Sequence, residues 1–293
     1  MRRPMAYLDR LAAFGHRSFE RFRPFSVGEA KPRGWVREEA LARLLRFEDV
    51  FEEAIGGYVL ALRDDLRGFG ARTEALGRVV ETLEGERLVP PRRGELFPVA
   101  AAFGEPPELA VDRCALELLG IRAYGIHVNG FVKGEDPPRV WIARRSEKVR
   151  VDPGKLDHLV AGGQPLGLTL EQNLRKEAWE EAGIPPELAA RAVPAGIVSY
   201  TLETALGLKD DVLFVYDLPL PADFEPRNRD GEVSGFELWS VERLKEALRT
   251  TDAFKFNVGP VLLDFLVRRG FLRPEEPDGG PAEYEALLRG LRS

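Results

Sequence analysis

The sequence predicts an α+β protein of two domains. Its 293 residues are more than one small domain needs. The first third mixes helix-like and strand-like segments, whereas the chain after Ile121 contains many segments with strand-like alternation. We therefore expect a smaller α+β domain over residues 1–121 and a second domain over residues 122–293.

The first domain is expected to contain short helices and short strands. Apolar residues recur at helical spacing in its helical segments, as at Leu76, Val79 and Leu83. Its strand segments are short continuous apolar runs. The predicted helices cover 37–47, 73–84 and Asp112 to Gly120, and the predicted strands cover 57–62 and 96–101.

The second domain is expected to form a sheet with helices. In RAYGIHVNGFV, Ile126 and Val128 point to one face of a strand, and His127 and Asn129 point to the other. Further strands are predicted at 139–145, 195–202, 211–218 and 234–240, and helices at 170–182, 240–249, 258–269 and in the tail from 279.

The composition excludes some partners. A formal net charge of −6 argues against a non-specific nucleic-acid binder. No apolar run approaches the roughly 20 residues of a membrane span, and the basic start lacks the apolar core of a signal peptide. The single Cys114 cannot form an internal disulfide. We therefore expect a cytoplasmic protein, and the sequence leaves a homodimer open.

The helix predicted at 170–182 ends in an unusual cluster of carboxylates. Thr169 and Gln172 fit a capping box at its start, and Gly183 fits its end. At about 100° per residue, Glu177 and Glu181 share the face of the buried leucines, and Glu180 lies about 60° from Glu177. Carboxylates that are buried without a partner are costly, and they lie at the negative end of the helix dipole. A divalent cation bound to their oxygens would remove this cost.

Two glycines precede this helix at the end of a strand in LVAGGQ. Gly162 and Gly163 lack side chains, so their backbone groups can approach an ion or a phosphate. A strand, a glycine loop and a capped helix with an acidic end together predict a site for a metal ion and a diphosphate.

The segment GGQPLGLTLEQNLRKEAWEEAGI resembles the Nudix box, G-x5-E-x7-R-E-U-x-E-E-x-G-U, in which U is aliphatic. The matching positions are Gly162, Glu177, Glu180, Glu181, Gly183 and Ile184. The pattern's upstream glutamate is Leu168 here, and its arginine is Lys176. Because those two residues pair with each other in the family, their joint change indicates that a structural brace was replaced while the metal ligands were kept.

The resemblance implies a fold and a reaction. The fold would be the Nudix sandwich, a mixed sheet between helices. The activity would be hydrolysis of a diphosphate with Mg²⁺, or Mn²⁺, held by Glu177, Glu180, Glu181 and the Gly162 carbonyl. Glu177 and Glu181 would take part in catalysis, and the partner would be a small-molecule diphosphate.

Other segments resemble one Nudix subgroup. These segments are PFSVGEAKPRGWV, HVNGFV, LDHLVAGG, the run from Val215 to Leu238, and FKFN. The subgroup carries an N-terminal domain of unknown function and is similar to the Nudix half fused to thiamine pyrophosphokinase in yeasts. The resemblance implies hydrolysis of thiamine diphosphate, or of its oxidised or damaged analogues, to monophosphates. A nucleotide-sugar or ADP-ribose diphosphatase and a catalytically silent ligand-sensing module are the alternatives.

Residues outside the box are weaker candidates. Asp230 and Gly231 are typical of a turn, whereas Glu232 is a candidate base, since Nudix enzymes often recruit an acid from outside the box. His127 and Asn129 are candidates for a ligand groove, with a solvated strand face as the alternative. Lys255 is a candidate phosphate contact, with an ordinary surface lysine as the alternative.

Overall fold

The computed structural model describes residues 6–12, 19–28, 31–54 and 59–292. In the N-terminal part, the described elements are α1 (Asp9–Ala12), β1 (Phe22–Val27), β2 (Gly34–Arg37), α2 (Glu38–Leu44), β3 (Phe51–Ala54), β4 (Val59–Leu62), α3 (Phe69–Gly85), β5 (Leu96–Val99), β6 (Leu109–Asp112) and α4 (Leu116–Leu119). Single 3-10 turns lie at Phe19–Arg21 and Arg113–Ala115.

The N-terminal part is built around a four-stranded sheet in the order β2–β1–β4–β3. Strands β1 and β4 are parallel, and the other neighbours are antiparallel. Helix α3 buries its predicted apolar face, because Leu76, Val79 and Leu83 share one cluster with Phe25 and Leu60. The predicted helices and strands of this part are confirmed where they are described; residues 57 and 58 lie outside the described ranges.

The second part contains most of the strands that the sequence predicts. Its elements are β7 (Arg122–Val132), β8 (Val140–Arg145), β9 (Leu156–Asp157), β10 (Val160–Gly163), α5 (Leu170–Ala182), α6 (Pro186–Ala189), β11 (Val193–Glu203), β12 (Leu208–Leu220), β13 (Val233–Trp239), α7 (Val241–Thr250), α8 (Val258–Arg268) and α9 (Gly280–Arg292).

The predicted mixed sheet is confirmed. Its strands follow the order β11–β12–β7–β8–β13, with β10 paired to β7 and β9 paired to β8. Strands β12 and β7 run parallel over the whole of β7, from Asp210 opposite Arg122 to Leu220 opposite Val132. The remaining pairs are antiparallel.

Helices cover both faces of this sheet. On β12, Leu213 and Val215 pack in one cluster with Val261 of α8. The alternate residues Phe214 and Tyr216 pack in the cluster that holds the apolar face of α5. Since successive residues of a strand point to opposite faces, α5 and α8 lie on opposite sides of the sheet. The predicted sandwich is therefore confirmed.

Residues 7–10 pack on the second part of the molecule. Tyr7 is buried in the cluster that contains residues of α7 and α8. Arg10 donates from Nε to the Leu248 carbonyl at 2.8 Å, and its Nη2 also donates to the Thr251 carbonyl. Residues 7–10 thus help to hold the C-terminal helices in place.

Candidate active site and metal centre

Helix α5 begins and ends where the sequence predicts. The Thr169 hydroxyl accepts from the Gln172 N–H at 3.2 Å, and the Gln172 side chain accepts from the Thr169 N–H at 2.9 Å. This is the predicted capping box. Gly183 ends the helix in the left-handed region, at φ 63°. The helix therefore fixes its acidic last turns against strand β10.

Two of the three glutamates in the last turns of this helix are buried. Glu177 is 9% exposed and Glu181 is 8% exposed, whereas Glu180 is half-buried. Oε2 of Glu181 accepts a hydrogen bond from the Ala161 N–H at 2.8 Å. This bond satisfies a backbone donor on the outer edge of β10. The predicted inward face is confirmed: two carboxylates are held at the edge of the sheet.

Burial shifts the pKa of both inner carboxyl groups. For Glu181, burial and then the neighbouring Glu177 raise the pKa well above its ordinary value, and the single amide donor only partly offsets this. For Glu177, burial raises the pKa although Lys176 acts in the opposite direction. The protein alone therefore stabilises the charged form of both carboxyl groups poorly.

Lys176 contacts the candidate metal ligands. Its Nζ lies 3.0 Å from Glu177 Oε1 and 2.7 Å from Glu180 Oε2. Burial lowers the pKa of Lys176, but the hydrogen bonds that its ammonium group donates to these carboxylates outweigh burial and raise it. The lysine that stands in place of the pattern's arginine thus reaches along its own helix to oxygens of two candidate metal ligands, and the replacement of a structural brace stays a prediction.

Gly162 fits a metal site because its missing side chain leaves room for Glu177. A Cβ on Gly162 would lie 2.4 Å from Cδ of Glu177 and 2.8 Å from its Oε2. Only glycine lets the loop approach the carboxylate so closely. Hard oxygen donors on one buried edge, with raised pKa values, are a donor set that suits a divalent cation.

A cavity of about 440 Å³ lies beside these residues. Most of the residues predicted for the site line it: Gly162, Glu177, Glu180, Glu181, Glu232, His127 and Lys255. A volume of this size accommodates a small organic molecule.

The loop before β13 brings Glu232 to the cavity. Asp230 accepts from the Glu232 N–H at 2.8 Å, and Gly231 has φ 85°, which confirms the predicted turn. The strand that follows pairs with β8, so the turn does not form a hairpin with the preceding strand. The Glu232 side chain is 45% exposed and is available to a ligand.

The strand that carries His127 and Asn129 is buried on both faces. The solvated face considered as the alternative for these two residues is wrong, because they are only 3% and 1% exposed. Asn129 donates from Nδ2 to Asp217 Oδ1 at 3.1 Å, in a contact separate from the cavity. Only His127 of this pair lies where a ligand can reach it.

Lys255 is also more buried than a surface lysine. Its side chain is 13% exposed, and Nζ lies 3.4 Å from Asp157 Oδ2. Arg145 approaches the same oxygen at 2.7 Å. Burial alone raises the pKa of Asp157, but Lys255 and the His158 hydrogen bond outweigh burial and hold it well below its ordinary value.

Two buried histidines complete this charged cluster. Nδ1 of His127 lies 2.8 Å from Nδ1 of His158, so one ring donates and the other accepts. Asp157 Oδ1 lies 3.8 Å from Nδ1 of His158 and favours a proton on that nitrogen. Among the described residues, no group hydrogen-bonds the buried Nε2 of His158. We therefore assign the proton of the pair to His158 Nδ1.

This assignment fixes the chemistry of His127. Its Nδ1 accepts from His158, so its own proton lies on Nε2, the ring nitrogen left for a ligand in the cavity. Burial, followed by His158 and Lys255, lowers the pKa of His127 well below its ordinary value. The ring is thus a neutral hydrogen-bond donor near pH 7.

His127, Asp157 and His158 are compact enough to hold a metal ion themselves, since their ligand atoms lie within 4.8 Å of one another. However, Arg145 and Lys255 already neutralise the Asp157 carboxylate. A cation placed beside two fixed cations would be repelled. The glutamates of α5 are therefore the better candidates for metal ligands.

The N-terminal part also reaches the cavity. Arg93, Phe97 and Arg113 are among its lining residues. The Arg93 Nη1 lies 3.5 Å from Glu232 Oε1. The site is thus lined by both parts of the chain.

Comparison with known proteins gives the family. A domain of unknown function (DUF4743) matches residues 5–123, and the NUDIX domain matches residues 123–259. Nudix hydrolase 24, chloroplastic, of Arabidopsis thaliana is 40% identical over 272 residues, which are 93% of this chain and 73% of that protein. The chain belongs to the Nudix hydrolase family. The resemblance of residues 162–184 to the Nudix box is confirmed.

A second plant relative agrees with this membership. Nudix hydrolase 20, chloroplastic, of the same plant is 39% identical to this Nudix hydrolase over 287 residues, 95% of this chain and 75% of that protein. Among solved structures, the MutT protein of Methanosarcina mazei is similar over 51% of this chain and 95% of that chain, with 20% identity and a TM-score of 0.38.

The names of the two plant relatives correct one prediction. Both are chloroplastic, which contradicts the cytoplasmic location expected for this Nudix hydrolase. A single cysteine argues only against an internal disulfide; it does not distinguish one reducing compartment from another. Within the described residues, no helix is long and apolar enough to cross a membrane.

The remaining site residues of this Nudix hydrolase differ in how far the sequence indicates them. Asp157 and His158 stand just before the glycine loop, and two chemically active side chains at the end of a strand were a signal that could have been used. Arg93 and Arg113 gave no such signal. They reach the cavity only through the packing of the two parts of the chain.

Proposed function

We propose that this Nudix hydrolase uses Mg²⁺, or Mn²⁺, to hydrolyse a small organic diphosphate to a monophosphate. The preferred substrates are thiamine diphosphate and its oxidised or damaged analogues. The main support for a metal-dependent reaction is the pair of carboxyl groups of Glu177 and Glu181. Both are buried at the edge of β10, and burial raises both pKa values.

The box residues have distinct roles in this proposal. Glu177, Glu180, Glu181 and the backbone of Gly162 would hold the cation. When bound, the cation would neutralise the diphosphate and lower the pKa of an attached water. Glu177 and Glu181 would act in catalysis through these contacts. Glu232, exposed at the rim of the cavity, is the proposed additional base.

Two cavity residues outside the box are proposed to bind the phosphates. Lys255 lines the cavity, and His127 presents Nε2–H as a neutral donor. Both groups are held in place by buried partners, so they are oriented before a ligand arrives. Asn129 is omitted because its amide is committed to Asp217.

The substrate class rests on two supports. The resemblance of several segments to the subgroup related to the yeast thiamine pyrophosphokinase fusion implies thiamine diphosphate. The cavity also places aromatic rings, Phe97 and Tyr124, beside its cationic and acidic residues. Such a lining suits a heteroaromatic ring joined to phosphates.

The two-domain division is part of the same proposal. Residues 1–121 would form the N-terminal domain and residues 122–293 the Nudix domain, with residues 7–10 returning to pack on the second. The cavity would then lie between the two domains.

The test is a panel of diphosphates with Mg²⁺, read by phosphate release and product mass. It contains thiamine diphosphate, oxidised thiamine diphosphates, ADP-ribose and nucleotide sugars, and Glu180→Gln protein is the background control. Fastest turnover on the thiamine compounds supports the proposal. Faster turnover of ADP-ribose or of nucleotide sugars would show that the substrate belongs to that class and not to the thiamine compounds. Binding of these compounds without turnover would instead indicate a ligand-sensing module.

A further inference from the structure

The N-terminal domain of unknown function lines the Nudix active-site cavity with charged and aromatic side chains. Arg93, Phe97 and Arg113 belong to the segment matched by that domain, and they line the same cavity as Glu177 and His127. We define these three N-terminal residues as the arginine wall.

The arginine wall is tightly joined to the glycine loop. A Cβ on Gly163 would lie 2.6 Å from Cζ of the Phe97 ring and 3.8 Å from Cζ of Arg113. The Leu166 N–H also donates to the Leu96 carbonyl at 2.8 Å, which ties the loop after Gly163 to strand β5. The absence of a side chain at Gly163 is therefore needed for the N-terminal domain to approach.

Within the wall, Arg113 is positioned by an aromatic ring. Its guanidinium carbon lies 5.8 Å from the centre of the Phe97 ring. Its Nη1 lies 3.1 Å from Glu95 Oε2. These two contacts hold the guanidinium group beside the loop that precedes the glutamate helix.

Both guanidinium groups keep capacity for a further ligand. The side chains of Arg93 and Arg113 are 52% and 48% exposed, and each makes an ion pair with a partly exposed glutamate. Exposed ion pairs of this kind contribute little, so a multiply charged anion can compete for the same donors. Guanidinium groups also match phosphate oxygens in geometry and present several N–H donors.

We propose that Arg93 and Arg113 bind the phosphate groups of the substrate, which makes the N-terminal domain a substrate-binding part of the Nudix site. This inference rests on the proposed function in that the substrate is an organic diphosphate. The phosphates would then lie between the arginine wall and the carboxylates of α5. Hydrolysis would be confined to molecules that can contact both the arginine wall and the carboxylates of α5.

The test measures binding without turnover. Methylenediphosphonate, whose bridging carbon cannot be hydrolysed, is titrated calorimetrically with Mg²⁺ into the full chain. The variants are the double substitution Arg93→Gln with Arg113→Gln and the matched control Arg78→Gln. Arg78 is an exposed arginine of the same domain that pairs with Asp49 and Glu74.

The double variant is expected to bind the diphosphonate at least tenfold more weakly, with the control unchanged. Its affinity for Mn²⁺ alone and its melting temperature should match the wild type, because neither arginine holds the metal or the core. Equal diphosphonate affinity in the double variant and the wild type would overturn the inference, and so would absence of binding to the wild type. If binding depends on the arginines but no compound of the substrate panel is hydrolysed, the inference stands and the proposed hydrolysis is wrong.

Discussion

Lys176 Nζ lies 2.7 Å from Oε2 of Glu180, one turn further along the same helix, and 3.0 Å from Oε1 of Glu177. The lysine thus neutralises part of the charge that a metal ion would neutralise. The same oxygens cannot fully serve both cations, so the ammonium group must compete with the metal or move away from it.

Replacing this lysine is therefore expected to strengthen metal binding. At about 4 Å, two unit charges in water interact by about 1 kcal/mol, which corresponds to roughly a fivefold change in affinity. We expect Lys176→Gln to bind Mn²⁺ several-fold more tightly in calorimetric titrations. The control is Arg175→Gln, which removes a cation paired to Glu171 in an exposed ion pair. Weaker metal binding in Lys176→Gln would mean that the lysine supports the site.

Glu180→Gln is expected to reduce turnover by about a thousandfold or more while the fold survives. The loss of one metal ligand should remove several kcal/mol of transition-state stabilisation. Glu171→Gln is the matched control, because Glu171 is an exposed glutamate near the start of the same helix. Steady-state kinetics measure the loss of turnover, and a thermal melt shows whether each variant is still folded. A folded Glu180→Gln protein with nearly normal turnover would disprove the metal assignment.

The tautomers of the histidine pair can be read directly, because the chain has three histidines in all. We expect ¹⁵N NMR to show His158 as the Nδ1–H form and His127 as the Nε2–H form. Burial lowers the pKa of both rings, so both should stay neutral as the pH falls through the ordinary histidine range near 6.5. Protonation of His127 in that range, or a proton on its Nδ1, would contradict the assignment of His127 as a neutral donor.

The part of the site that lies on one helix could be predicted from the sequence. The positions of Glu177, Glu180 and Glu181 follow from a capped helix of regular geometry, since about 100° per residue fixes which side chains share a face. Likewise the strand Arg122–Val132 was visible in its alternation. Local periodicity carries this information because it depends only on neighbouring residues.

The rest of the site depends on contacts between distant segments. Arg93 meets Glu232 across 139 positions of sequence, and no local pattern encodes that approach. His127 of β7 meets His158, which lies between β9 and β10 and is 31 positions away in the sequence. Lys176 is intermediate: its pairing with Glu180, four residues further along the helix, follows from helical spacing, whereas its second contact with Glu177 does not.

The raised pKa of Glu181 predicts how stability depends on pH in the absence of metal. A carboxyl whose pKa is higher in the folded state binds more protons when folded, so its contribution is fully present at low pH. That contribution is lost as the pH rises from about 4.3 through the folded-state pKa. We expect the metal-free melting temperature to fall over this range in the wild type and to fall less in Glu181→Gln. Identical pH profiles of melting temperature for the two proteins would show that burial does not raise the folded-state pKa of Glu181.

The last prediction concerns why the helix tolerates its acidic end. If a cation binds the carboxylates of α5, Mg²⁺ should stabilise the folded protein, because the unfolded chain has no assembled site. The stabilisation should reach about 2.7 kcal/mol at a hundredfold excess over Kd. Replacing Glu177, Glu180 and Glu181 together by Gln should remove this response. Thermal melts of both proteins with and without Mg²⁺ test it, with the exposed pair Glu171→Gln and Glu187→Gln as a control for charge removal.

Without metal, the triple variant should be no less stable than the wild type. It removes two carboxylates that burial penalises, and it relieves the negative end of the helix dipole. It also loses the ion pairs of Lys176, but that side chain is 42% exposed, so the loss should be small. The Ala161 N–H can still donate to the amide oxygen of a glutamine at position 181. A triple variant that kept the full Mg²⁺ response would place the ion elsewhere. One that melted far below the wild type without metal would show that these carboxylates hold the fold together, against the metal-binding role assigned to them.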